Sequence, residues 1–182
     1  MREIEIKLRI KDFKGLEEKL RERGCILSSP IRQEDIIYSK AGSTSEWEVS
    51  KEGQIVMRIR RANDHAEFNL KEQRSNEMDN LEYETAVDNP NAIHQILARL
   101  GFEPQVEVKK VRRKGKLGEY EICLDAVDEL GNFVELEKLT SEDADPNEVR
   151  EELFKTLEDL GLSRKDEETR GYDTQMYFLS KK

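Results

Sequence analysis

Ile4, Ile6 and Leu8 alternate with Glu3, Glu5 and Lys7 at the start of the chain, and this period of two predicts a β-strand with one apolar and one charged face. The alternation returns downstream. Arg58 and Arg60 alternate with Met57 and Ile59, Asn69 and Lys71 with Phe68 and Leu70, and Glu82 and Glu84 with Leu81, Tyr83 and Thr85. Glu121 and Asp125 alternate with Ile122 and Leu124, and Glu135 and Glu137 with Val134 and Leu136. In VEVKKVRRK the valines occupy both parities, so Lys110 and Arg112 share the charged face if Val111 points to the core. Strands are expected near 2–10, 33–39, 55–62, 66–73, 80–88, 105–113, 119–126 and 132–139, with one more open at 172–179.

Between them lie three helices marked by their ends. The first runs from about Asp12 to Arg23 with Phe13, Leu16 and Leu20 on one face. The second opens with a cap and first-turn proline at Asn89-Pro90, the third at Asp145-Pro146. Each stops at a glycine followed by an apolar residue (Gly24, Gly101, Gly161), the pattern of a left-handed C-cap. The order strand, helix, three strands occurs twice. This predicts one α+β domain over 1–182, with an internal βαβββ duplication at 1–79 and 80–140 and a C-terminal helix and tail.

The helices need an apolar sheet face to cover. If they pack outside, eight mostly antiparallel strands close into a barrel, which removes exposed edges, and the charged faces line its interior. The competing arrangement leaves those faces solvated, as antiparallel sheets commonly do. The polar stretch from Ser39 to Gly53, with the single Trp47, reads as a long loop, either a passive excursion or a lid.

Composition narrows the function. The 182 residues carry a net charge of −9, which argues against a duplex nucleic-acid binder. Cys25 and Cys123 lack metal-site or disulfide spacing and read as buried free thiols, and His65 and His94 are too few for a histidine-rich zinc centre. No stretch is long and apolar enough for a leader or a membrane span, so a cytoplasmic location without membrane attachment is expected.

A charged interior would hold both signs. Lys7, Arg58, Arg60, Lys71, Lys110 and Arg112 could surround a polyanion such as a triphosphate, and Glu3, Glu5, Glu135 and Glu137 offer oxygen ligands for Mg²⁺ or Mn²⁺. There is no P-loop, so any phosphate site must be built from side chains.

These residues resemble a known family. Glu3-x-Glu5-x-Lys7 resembles the ExExK signature of the CYTH superfamily, the triphosphate tunnel metalloenzymes. Gln33-x-Asp35, Arg58-x-Arg60, Lys71, Glu82 with Glu84, Lys110-x-Arg112 and the run from Leu124-Asp125 to Gly131-Asn132-Phe133-Val134-Glu135-Leu136-Glu137 follow in the family's order. The resemblance implies an eight-stranded antiparallel barrel open at both ends. The six bases would bind a nucleotide or other triphosphate, and the four acids one or two divalent metals. Lys7, Lys71 and Asp125 would be catalytic, with Glu82, Glu84 and Glu121 behind the metal ligands. The sequence departs from the family at Gly115, where an aromatic is frequent, at Glu72, where glycine is, and at Gly171-Tyr172, where Ser-Tyr is. The length and the LGNFVELE strand look most like class IV adenylyl cyclase-type proteins, converting ATP to cyclic AMP and pyrophosphate. The alternative is a triphosphatase acting on thiamine triphosphate, a nucleoside triphosphate or inorganic tripolyphosphate. A third reading is a barrel that binds a phosphorylated ligand without turnover; the acids facing the ligand argue against it unless metals lie between. A homodimer is compatible with all three.

Overall fold

The computed structural model describes residues 1–42, 47 and 51–181. Its first half comprises β1 (Arg2–Ile10), α1 (Lys14–Glu22), β2 (Ile31–Lys40), β3 (Ile55–Ala62) and β4 (His65–Gln73). Then come β5 (Asp79–Ala86), α2 (Pro90–Arg99), β6 (Phe102–Leu117), β7 (Tyr120–Val127) and β8 (Gly131–Thr140). The chain finishes with α3 (Pro146–Asp159), a short 3-10 turn at Arg164–Asp166 and α4 (Tyr172–Leu179). The strands form a closed barrel in the order β1-β5-β4-β3-β2-β6-β7-β8, every neighbouring pair antiparallel.

The apolar strand faces point outward, where the helices cover them. Ile4, Ile6 and Leu8 of β1 and Ile122, Leu124, Val134 and Leu136 of β7 and β8 are buried against Leu16 and Leu20 of α1 and Leu153 and Leu157 of α3. Leu97 of α2 joins Tyr38, Met57 and Ile59 on the other side. The helix ends behave as their residues demand: Asn89 caps the Ala92 amide and Asp145 the Asn147 amide. Gly24, Gly101 and Gly161 stop the helices at φ of 77°, 85° and 81°, a region costly for side chains with a Cβ.

Two expectations are corrected at the C-terminus. Residues 172–179 form a helix, because a closed barrel has no free edge to accept another strand. That helix also ends the prospect of a barrel open at both ends. Ile37, Val108, Val127 and Phe133 share the inward parity of Asp35, Lys110, Asp125 and Glu135, yet they pack with Tyr172 and Tyr177 of α4. The interior is therefore apolar at one end and is stoppered there by α4. Trp47 joins this cluster, stacked on Tyr177 with ring centroids 5.0 Å apart. The rest of the lid-or-loop segment, residues 43–46 and 48–50, lies outside the described residues.

The glycine at 115 has a packing reason. A Cβ there would come within 2.8 Å of both Cys25 Sγ and the Ile26 carbonyl oxygen, so the chain leaving α1 can lie against β6 only if this position is bare. Gly115→Ala is expected to cost about 1–3 kcal/mol through overpacking, read as a lowered urea midpoint with unchanged slope.

Candidate active site

The barrel encloses a cavity of about 490 Å³ whose walls sort by charge. Going round the strand order, β4, β3 and β6 present Lys71, Arg58, Arg60, Lys110, Arg112 and Lys114, with Glu67 of β4 and Asp35 of the intervening β2 as the acids of this arc. The opposite arc, β7, β8, β1 and β5, presents Glu121, Glu135, Glu137, Glu3, Glu5, Glu82 and Glu84, with Lys7 as its one base among the described lining residues. A one-residue slip in β6 would have turned Lys109 and Arg113 inward. The register pairs Lys110 with Gln33 and Arg112 with Asp125, which keeps the intended pair in the cavity. The mouth away from α4 is rimmed by Asn63, His65, Glu84 and Lys114.

On the basic wall the side chains are held by buried acids. Asp35 accepts a bidentate pair from Arg60 (2.8 and 2.7 Å) and lies 3.6 Å from Arg58. Asp125, fully buried, accepts from Arg112 Nε at 2.7 Å and Lys110 Nζ at 3.0 Å. Burial opposes both ionised carboxylates, but the adjoining bases outweigh it and hold both well below the usual range. Such forks fix a guanidinium while leaving its other donors free for a ligand. Asp125 itself does not line the cavity; it stands behind the bases it orients.

On the acidic wall, carboxylate oxygens of Glu3, Glu5 and Glu137 lie within 4.8 Å of one another. Burial, then the charge of Glu135, pushes the Glu5 carboxyl up to about 8; burial and Glu137 push Glu3 well above its usual range. Burial also raises Glu137. Such crowding keeps a proton on the cluster unless a cation takes its place. Three oxygen donors of this kind suit a hard divalent ion, so the donor set fits Mg²⁺ or Mn²⁺. Glu135 differs from its neighbours: burial raises it, but its ion pair with Arg112 outweighs this and the carboxyl lies below its usual range. Lys71 is paired with Glu82 and lies 3.9 Å from Glu3; burial lowers it, and Glu82, Glu3 and Glu5 more than reverse this, so it stays a fixed positive charge.

Sequence reading named Gln33, Asp35 and Asn69 without giving them a role in the site, since Ile36 and Ile37 blur the alternation around Asp35 and an amide carries no charge to read. Asn69 and Gln33 bring buried oxygens, and Arg58 a buried Nε, that have no hydrogen-bond partner among the described residues. All three side chains line the cavity. Tyr172 comes from a stretch that the sequence left open as a strand and that folds as a helix, and Glu77 and Met78 come from the β4–β5 connection, where no periodicity exists to read.

The closed antiparallel barrel thus sets a basic wall against an acidic one, a charge distribution that suits a polyanion accompanied by cations. The CYTH domain model matches residues 1–172, and the chain belongs to the CYTH family. A Methanocaldococcus jannaschii protein with the provisional name adenylate cyclase is 28% identical over 166 residues, covering 90% of this chain and 92% of its own. A Pyrococcus horikoshii protein of known structure is 28% identical with a TM-score of 0.79, covering 99% of each chain. The same fold occurs in a Hippeastrum protein at 19% identity and a TM-score of 0.63, covering 100% of this chain and 97% of that one; that protein is described as having a dominant triphosphatase activity. Among the described residues no helix is long and apolar enough to cross a membrane.

Proposed function

We propose that this protein is a divalent-metal-dependent enzyme acting on triphosphates inside the barrel, with the cyclisation of ATP to cyclic AMP and pyrophosphate as the first reading. The observation that carries it is the sorting of charge: lysines and arginines predominate on one arc and face a carboxylate cluster on the other across a single cavity. Lys71, Arg58, Arg60, Lys110 and Arg112 would grip the phosphate oxygens from the basic wall, and Lys7 would approach them from the acidic side. Glu3, Glu5 and Glu137 would hold the metal, with Glu135 reaching it once Arg112 turns to phosphate. When bound, Mg²⁺ or Mn²⁺ would neutralise phosphate charge and polarise the P–O bond under attack. Asp35 and Asp125 would keep the guanidinium groups in place, which is most of what phosphoryl transfer asks of a protein.

Hydrolysis is the second reading, favoured by the Hippeastrum protein of the same fold. In cyclisation the ribose 3′-hydroxyl attacks the α-phosphorus and pyrophosphate leaves; in hydrolysis water attacks the terminal phosphorus. The test is to offer ATP, thiamine triphosphate and tripolyphosphate with Mg²⁺ or Mn²⁺ and follow the products by phosphorus NMR. Cyclic AMP with pyrophosphate supports the first reading, orthophosphate release supports the second, and no turnover of any of the three removes both.

Binding has its own expected result. A ligand selective for the folded state stabilises it by about 2.7 kcal/mol at a hundredfold its dissociation constant. Tripolyphosphate, and ATP with Mg²⁺, should raise the melting temperature, AMP far less, and Arg58→Ala or Lys110→Ala should shrink the shift. Equal stabilisation by AMP and ATP would mean that the site reads the base and not the phosphates.

A further inference from the structure

The bases of the cavity are not all held in the same way. Arg58 and Arg60 have Asp35, Lys110 and Arg112 have Asp125, and Lys71 has Glu82. Lys7 is 1% exposed and forms no ion pair among the described residues, although Glu5 and Glu135 stand near enough to feel its charge. Its ammonium instead lies 4.4 Å from the centre of the Tyr172 ring and 3.6 Å from Met78 Sδ. The same ring stands 4.9 Å from the Lys110 ammonium, so one aromatic ring serves two lysines that come from opposite arcs of the wall. Tyr172 is nine-tenths buried, lines the cavity, and its hydroxyl has no hydrogen-bond partner among the described residues.

The ring is itself fixed. It sits in the first turn of α4, edge-on to Phe133 with centroids 5.0 Å apart. Glu77 anchors that turn, accepting from the Gly171 amide at 2.7 Å and the Thr174 hydroxyl at 3.0 Å. An aromatic face attracts an ammonium through its quadrupole and occupies none of its N–H donors in strong hydrogen bonds. A carboxylate would also hold the lysine, but it would cancel the charge and compete with a phosphate for the same protons.

We propose that Tyr172 is a positioning residue of the anion site: its ring gathers Lys7 and Lys110 at the stoppered end of the barrel and takes from neither a proton that a phosphate could use, beyond the one that Lys110 gives to Asp125. This rests on the triphosphate reading above. The stoppered end is thereby the seat of the innermost phosphate, and the remainder of the ligand extends toward the open mouth.

The test measures tripolyphosphate binding by calorimetry at fixed ionic strength in the full chain, with Tyr172→Phe, Tyr172→Leu and Tyr172→Met. Tyr172→Phe keeps the ring and should bind within about twofold of the wild type. Leu and Met remove the quadrupole from both lysines and should weaken binding about tenfold, the scale expected of a desolvated cation–aromatic contact. Two aliphatic replacements are used so that one still reports if the other fails to fold. The coupling readout is Lys7→Met: in that background Tyr172→Leu should cost clearly less than it does alone, whereas a ring that only packs α4 would cost the same in both. Equal loss in Phe and Leu, no loss in either aliphatic variant, or strict additivity with Lys7→Met would each overturn the assignment. A wild-type protein that does not bind tripolyphosphate would overturn the triphosphate reading as well, which separates the two failures.

Discussion

Glu5→Gln should lower metal-dependent turnover of a triphosphate by at least about a hundredfold, the scale of removing one electrostatic contributor from a water-poor site. The same substitution should make the metal-free protein more stable at pH 8, an opposite sign that distinguishes lost function from damaged folding. The Glu5 carboxyl is pushed from 4.5 to about 8 by burial and then by the charge of Glu135. Between those values the folded state holds a proton that the unfolded state has released, so this group makes stability fall as pH rises from about 4.5 to 8. Gln carries no charge to repel, and the fall should be shallower in the variant. Mg²⁺ competes with the proton for the cluster, so its stabilising effect on the wild type should grow over the same interval. Melting temperatures at pH 5 and pH 8, with and without Mg²⁺, give all four quantities. A variant that matches the wild type in turnover and in pH slope would remove Glu5 from the metal cluster.

The second large effect concerns a residue that lines no cavity. Asp125 is fully buried and accepts from Arg112 and Lys110, so Asp125→Asn keeps the shape and leaves two buried bases with one carboxylate fewer. Breaking a buried ion pair from one side costs about 3–5 kcal/mol, because the remaining charge cannot return to water. For a chain of this length that is a fall in melting temperature of roughly 10 °C. Saturating tripolyphosphate should recover part of it, since a phosphate can supply the missing negative charge to both bases. Thermal denaturation with and without tripolyphosphate decides the matter: a variant as stable as the wild type would show that Lys110 and Arg112 do not depend on Asp125. One that is destabilised but indifferent to tripolyphosphate would show that these bases are not an anion site.

Much of this was legible in the chain because a strand sends successive side chains to opposite faces. Glu3, Glu5 and Lys7 had to share a side, and Ile4, Ile6 and Leu8 the other, whatever the fold around them. Glycines and caps likewise bounded α1, α2 and α3, since a left-handed stop and a side-chain cap are local requirements. Parity alone could not say which face was the inside; closure of the sheet decided it, placing the helices over the apolar side. It also could not say how the charges sort. Arg58, Arg60 and Lys71 come from the consecutive strands β3 and β4, but Lys110 and Arg112 come from the distant β6 and join the same wall only through the order in which the strands pair. The least legible part was α4. Residues 172–179 left a further strand open, and only the absence of a free edge in the closed barrel excluded it. Tyr172 meets Lys7 and Lys110 because three separate elements converge at one end of the barrel, a contact between residues up to 165 positions apart that no local pattern encodes.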